Sequence, residues 1–186
     1  MKMGATTTPT TPTTGTAPAV ELKLRPNRLF TIVAIAALIV GIASILGGLG
    51  GAVYTYQQAA VENIITPEDA AIAEAPVRGP LTMWAQSDII TQHQLERTEG
   101  LRYAEMEREA PVLDEAGEPV LDDAGEPVMG PNTARLSWLD ATTLTSVLGL
   151  GILAYAFSAF AVAVGVILTG MGMIVLALRR DAVAFA

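Results

Sequence analysis

Cysteine is absent from this 186-residue chain, and histidine occurs once, at His93. Without cysteine there is no disulfide framework, thiolate metal site or cysteine nucleophile. A facial-triad iron site needs two histidines and a carboxylate, which one copy of this chain does not supply. The nucleotide and hydrolase signatures are missing too: no P-loop, no dinucleotide fingerprint, no G-x-S-x-G elbow. Two further stretches lack every ionisable residue. From Leu29 to Val61 and from Ala141 to Leu178 there is no Asp, Glu, Lys, Arg or His. About 20 apolar residues cross a bilayer core, so each run is long enough to span.

What is present is strongly partitioned. The net charge of −8 conceals three regions. Lys2, Lys23, Arg25 and Arg28 outweigh Glu21 before the first run, and Arg179 and Arg180 outweigh Asp181 after the second. The segment between them carries nearly all of the carboxylates and is strongly acidic. Basic residues beside span ends stay cytoplasmic, so Arg25, Arg28, Arg179 and Arg180 predict cytoplasmic termini and an outside middle. The first run exceeds a signal-peptide core and starts late, which predicts an uncleaved anchor.

The order of segments follows from composition. Residues 1–28 are rich in Thr and Pro and predict a disordered cytoplasmic tail. Residues 29–61 predict transmembrane helix 1 with an outer extension. Its Gly47-Gly48-Leu49-Gly50-Gly51 stretch offers a GxxxG pair, Gly47 and Gly51, and a point for a kink. Residues 62–110 predict an extracytoplasmic helical segment. Thr66-Pro67-Glu68-Asp69 reads as a helix start running to about Glu74. A second helix is expected from Pro80 to Glu99 with Gly100 at C′, followed by one or two turns between Tyr103 and Glu109. Residues 111–135 hold an acidic repeat, Val112 to Pro119 and Val120 to Pro127, expected to be a loose loop with local hairpins. Residues 136–178 predict transmembrane helix 2, either projecting outside as one helix or interrupted near Gly149-Leu150-Gly151. Residues 179–186 form a short cytoplasmic tail.

Candidate sites are of two kinds. For helix packing the small-residue spacing marks Gly47, Gly51, Ser158, Gly165 and Thr169. For a partner surface the outer helix offers Leu81, Trp84, Asp88, Ile89 and His93, with Tyr103 beyond it. Leu81, Trp84, Ala85, Ile89, Gln92 and Leu95 fall on one predicted apolar face. His93 reads as a surface residue, with Asp88 displaced around the helix. The repeat supplies Asp114, Glu115, Asp122 and Asp123 as oxygen ligands, but without the spacing of an EF-hand. No catalytic residue, metal or cofactor is expected.

The outer segment resembles a known family. Gly79-Pro80-Leu81-Thr82, Ala85-Gln86-Ser87-Asp88-Ile89-Ile90, His93, Leu95-Glu96, Thr98, Gly100, Tyr103-Ala104-Glu105 and Arg108, with Thr145-Ser146-Val147 early in the second run, are similar to an actinobacterial two-span membrane-protein family. Its members are commonly labelled aromatic ring-opening dioxygenase LigA. The likeness covers about residues 29–110 and 135–178. It implies a plasma-membrane protein. The enzyme label implies an iron site whose ligands this chain lacks.

The sequence therefore predicts an all-α membrane protein: a two-transmembrane-helix hairpin with a small α-helical extracytoplasmic segment. Its expected role is non-enzymatic, through contacts with membrane lipid and with other membrane proteins or by self-association, as an accessory subunit of an envelope or respiratory complex. No nucleic acid or small-molecule substrate is expected. The alternatives are an enzyme subunit completing a site with another chain, through Asp88, His93 and Tyr103, and a homo-oligomeric pore. Ion pathways need polar groups within the spans, and these spans have few.

Overall fold

The computed structural model describes residues 28–184, with side chains placed for residues 28–179. Apart from Arg28, the tail expected at 1–28 lies outside the described residues, as do residues 185–186 at the other end. Helix α1 spans Arg28–Val61, helix α2 Pro80–Arg97 and helix α3 Thr133–Ala184. A single 3-10 turn covers Tyr103–Glu105, and strands β1 (Glu109–Pro111) and β2 (Met129–Pro131) form a two-stranded antiparallel sheet. That sheet is a departure from an all-helical expectation.

Both apolar runs are uninterrupted helices. The 34 residues of α1 are about 51 Å long and the 52 of α3 about 78 Å. Neither the glycines at 47–51 nor Gly149 and Gly151 break them. By length and composition both are candidate membrane spans, and in the most apolar window of each only 11% is buried. A core helix of a soluble domain would be mostly buried. Here Ile32, Leu46, Phe157 and Ile167 stand exposed.

Helices α1 and α3 lie side by side in opposite directions, and a seam of small residues joins them. A Cβ built on Gly172 would come 2.8 Å from the carbonyl oxygen of Ala34, and one on Gly165 2.6 Å from that of Gly41. A Cβ on Gly48 would lie 2.5 Å from the carbonyl oxygen of Ser158. The small positions recur every seven residues: Ala34, Gly41 and Gly48 on α1, and Ser158, Gly165 and Gly172 on α3. This is the period of a left-handed supercoil. Each glycine faces a larger side chain of the other helix. Leu38 and Ile45 fill the space at Gly172 and Gly165; Val162 and Thr169 fill that at Gly48 and Gly41. At the far end the Arg179 guanidinium donates to the Thr31 hydroxyl.

Helix α3 starts earlier than expected because Asn132 caps it. The Asn132 Oδ1 accepts the Arg135 N–H at 3.1 Å. The outer part of α3 then becomes the platform on which α2 packs. Val77, Met83 and Leu148 form the centre of this small core, with Ala59, Ile64, Ile90, Ile152 and Tyr155 around it.

Two expected helices are replaced by turns. Residues 62–79 form a loop tied around Thr66, which is 2% exposed. Its hydroxyl donates to the Ile72 carbonyl (2.5 Å) and accepts the Ala75 N–H (2.9 Å), while its own N–H donates to the Ala75 carbonyl. Thr66 thus closes a loop on residues six and nine positions away, where a helix cap would serve residues two or three away. Beyond α2, one 3-10 turn at Tyr103–Glu105 stands where up to two helical turns were expected.

The acidic repeat is built. In each unit the aspartate Oδ1, of Asp114 or Asp122, accepts two backbone N–H groups at 2.8–3.0 Å. Gly117 and Gly125 take φ near +80° to complete the turns. Val112 donates to the Val128 carbonyl, Val128 to Val120 and Val120 to Val112, each at 2.8 Å. The two units thereby close into a ring that β1 and β2 join to the body.

Candidate functional site

The most organised part of the molecule outside the apolar helices is the cap formed by the Thr66 loop, α2 and the outer end of α3. Helix α2 begins at Gly79-Pro80. The Thr82 hydroxyl accepts the N–H groups of Arg78 and Gly79, both at 3.2 Å, and so supplies the cap that glycine has no side chain to provide. The helix ends in a Schellman turn: Gly100 N–H donates to the Leu95 carbonyl at 2.8 Å. The C′ residue is Glu99, at φ 50°, and Gly100 follows at φ 85°. The left-handed turn therefore begins one residue before the expected Gly100.

Three polar clasps fix α2 and the segment that follows it on α3. Gln94, 3% exposed, donates to the Ser137 hydroxyl at 2.6 Å. The Trp138 indole N–H reaches the Leu101 carbonyl (3.0 Å) and the Thr98 hydroxyl (3.3 Å). The Arg135 guanidinium lies 3.9 Å from the Tyr103 ring centroid, and its Nε donates to the Tyr103 carbonyl. At the lower edge of the cap the Tyr155 hydroxyl donates to the Arg78 carbonyl at 2.6 Å. The Arg78 guanidinium lies over the Tyr56 ring.

The six residues expected to share a partner surface are distributed otherwise. Ile89 is buried at 4% and belongs to the contact with the rest of the molecule. Leu81 and Trp84 point outward and are exposed. The predicted single face fails because Met83, Ala85, Ile89 and Gln94 are the buried set, centred away from Leu81 and Trp84. Asp88 accepts a hydrogen bond from the Gln92 amide at 2.7 Å. His93 meets Asp69 of the Thr66 loop, Nε2 to Oδ2 at 2.6 Å. The hydrogen bond from His93 holds the Asp69 carboxyl below its ordinary value. Tyr103 serves Arg135. Asp88, His93 and Tyr103 thus each take a different partner.

The helix-packing candidates separate as well. The α1–α3 contact holds Gly51, whose Cβ would lie 2.9 Å from the Ser158 hydroxyl, and also Ser158, Gly165 and Thr169. Gly47 points away from it, with nothing within 4 Å of its Cβ position. The glycine of the 47–51 stretch that lies against the α3 backbone is Gly48, and with it Gly41 and Gly172 were missed. Their signal was present as the period of seven, which a search for GxxxG pairs passes over. The Thr169 hydroxyl is buried in this seam without a hydrogen-bond partner.

Among the described residues no three His, Asp or Glu side chains gather as a metal site. The Asp114 and Asp122 carboxylates are committed to backbone N–H groups. No protein-family model, curated protein or solved structure matches the chain.

Proposed function

We propose that the chain is an integral plasma-membrane protein with two spans, α1 and α3 forming a hairpin, both termini cytoplasmic and the cap outside. It acts without catalysis, by holding a rigid outer cap on a membrane stem for contact with other proteins. The observation that carries this reading is the surface of the two helices. They pack through a narrow seam of small residues and leave their large apolar side chains outward over most of their length. Lipid is the solvent that suits such a surface. The polar residues of the cap support the same role. Gln94, Trp138, Arg135 and Tyr155 spend their hydrogen bonds on joining elements. The resemblance to the actinobacterial two-span family agrees with a plasma-membrane location.

The test is fractionation followed by purification in mild detergent. The chain should resist an alkaline carbonate wash and purify as an assembly larger than the monomer, its members, a second copy or another protein, identified by mass spectrometry. Release into the wash would overturn the membrane reading; recovery as a monomer alone would overturn the contact role. One observation favours the enzyme-subunit alternative: the Asp69–His93 pair at the cap surface, an arrangement that also orients an imidazole base. A turnover by the purified complex that is lost on His93→Ala would establish it.

A further inference from the structure

The outer half of α3 is covered on one side only. Ala141 and Leu148 pack under the cap, and Ser158 lies against α1. On the opposite side Leu136, Leu139, Val147, Leu150 and Leu153 are exposed, and the stripe continues into Phe157 and Phe160, all between 46% and 74% exposed. Leu136, Thr143, Leu150 and Phe157 recur at intervals of seven, as do Leu139, Ser146, Leu153 and Phe160. These are the two positions of a coiled-coil seam, three residues apart.

From this stripe we infer that α3 pairs with α3 of a second copy, as a parallel coiled coil running from outside the membrane into its outer leaflet. The inference rests on the membrane reading, since α1 turns polar at Gln57 and α3 beyond about Leu153 stands in water, where lipid is not available to cover it. A bilayer inserts every copy in the same direction and at the same depth. Two copies therefore present the same stripe at the same height, and a parallel in-register pair is the arrangement in which each layer meets itself. The polar layer at Thr143 and Ser146 then faces identical hydroxyls. Arg135, whose Nε is held by the Tyr103 carbonyl, and the exposed Asp140 flank the stripe on its two sides, five residues apart, the spacing that brings opposite charges together between parallel helices.

The absence of cysteine makes the test clean. Leu139→Cys and Leu150→Cys lie on the seam; Leu144→Cys is exposed but off it. In membranes under mild oxidation the seam variants should form disulfide-linked dimers at least tenfold faster than Leu144→Cys. The unmodified chain in detergent should have twice its 19.4 kDa mass by native mass spectrometry. Equal cross-linking at all three positions, or none at the seam, in a chain that still resists carbonate would overturn the pairing and leave the membrane reading standing. A chain of monomer mass bound to a different protein would overturn it as well. Release by carbonate would remove both.

Discussion

A methyl group on Gly48 has no room. It would lie 2.5 Å from the Ser158 carbonyl oxygen and 2.8 Å from the Val162 side chain, and both belong to a helix that cannot retreat without opening the seam. Gly47, one residue earlier, faces open space. Gly48→Leu should therefore destabilise by about 1–3 kcal/mol, the cost of overpacking a filled contact, while Gly47→Leu should be near neutral. Thermal midpoints of the two variants in the same detergent check this; equal midpoints would place the contact elsewhere. The Asp69–His93 pair makes a pH prediction. The hydrogen bond from His93 is the chief cause that holds the Asp69 carboxyl of the folded state below its ordinary value. Its contribution is present above the ordinary aspartate value and is lost as the pH falls through the lower folded value. Asp69→Asn removes that dependence. Between pH 5 and pH 3 the parent should lose more thermal stability than the variant, by a small margin because the pair is solvent-exposed.

Among the elements, α2 shows how a helix end is set by its backbone. Glu99 at φ 50° takes a conformation that costs an L-residue roughly 1 kcal/mol, and glycine adopts it freely. Glu99→Gly should stabilise the cap by up to about 1 kcal/mol, and Gly100→Ala should destabilise it by a similar amount. Urea midpoints of near-ultraviolet circular dichroism, which follows Trp84 and Trp138, would measure both. The existence of α2 was legible, since Pro80 at its start and Gly100 past its end bracket an uninterrupted helical stretch. The Thr66 loop was not. Thr-Pro-Glu-Asp satisfies every local rule for a helix start, yet the Thr66 hydroxyl bonds to Ile72 and Ala75. Local rules see residues two or three away; this loop closes over nine. The repeat was legible in part: each unit has its expected local hairpin, bridged Leu113 to Pro119 and Leu121 to Pro127. Its acidity suggested a loose excursion, whereas two aspartates fold their own turns and three valines link them.

At the scale of the whole molecule, orientation is the first thing to test. Residue 10 lies outside the described residues, and Ala116 lies in the repeat. A membrane-impermeant thiol reagent applied to intact cells should label Ala116→Cys and spare Thr10→Cys until the membrane is opened. The reverse pattern would invert the topology drawn from Arg25, Arg28, Arg179 and Arg180.

The sequence by itself determined that two long helices exist and that they are apolar enough to cross a membrane. Chain length, absence of charge and side-chain hydropathy are sums over neighbouring residues, and no distant contact alters them. It also determined that these residues offer no cysteine and a single histidine as ligands or nucleophiles, because composition does not change on folding. Tertiary structure decided the rest. Gly48 and Gly47 are the same residue with the same neighbours, and only the path of α3 makes one a contact and the other a bystander. Leu81 and Ile89 look alike on a helical wheel, and only the position of α3 buries one and exposes the other. The stripe along outer α3 reads as one more stretch of span until the cap occupies the opposite side. Which face is left over is a property of packing, since each burial is a choice between partners far apart in the chain.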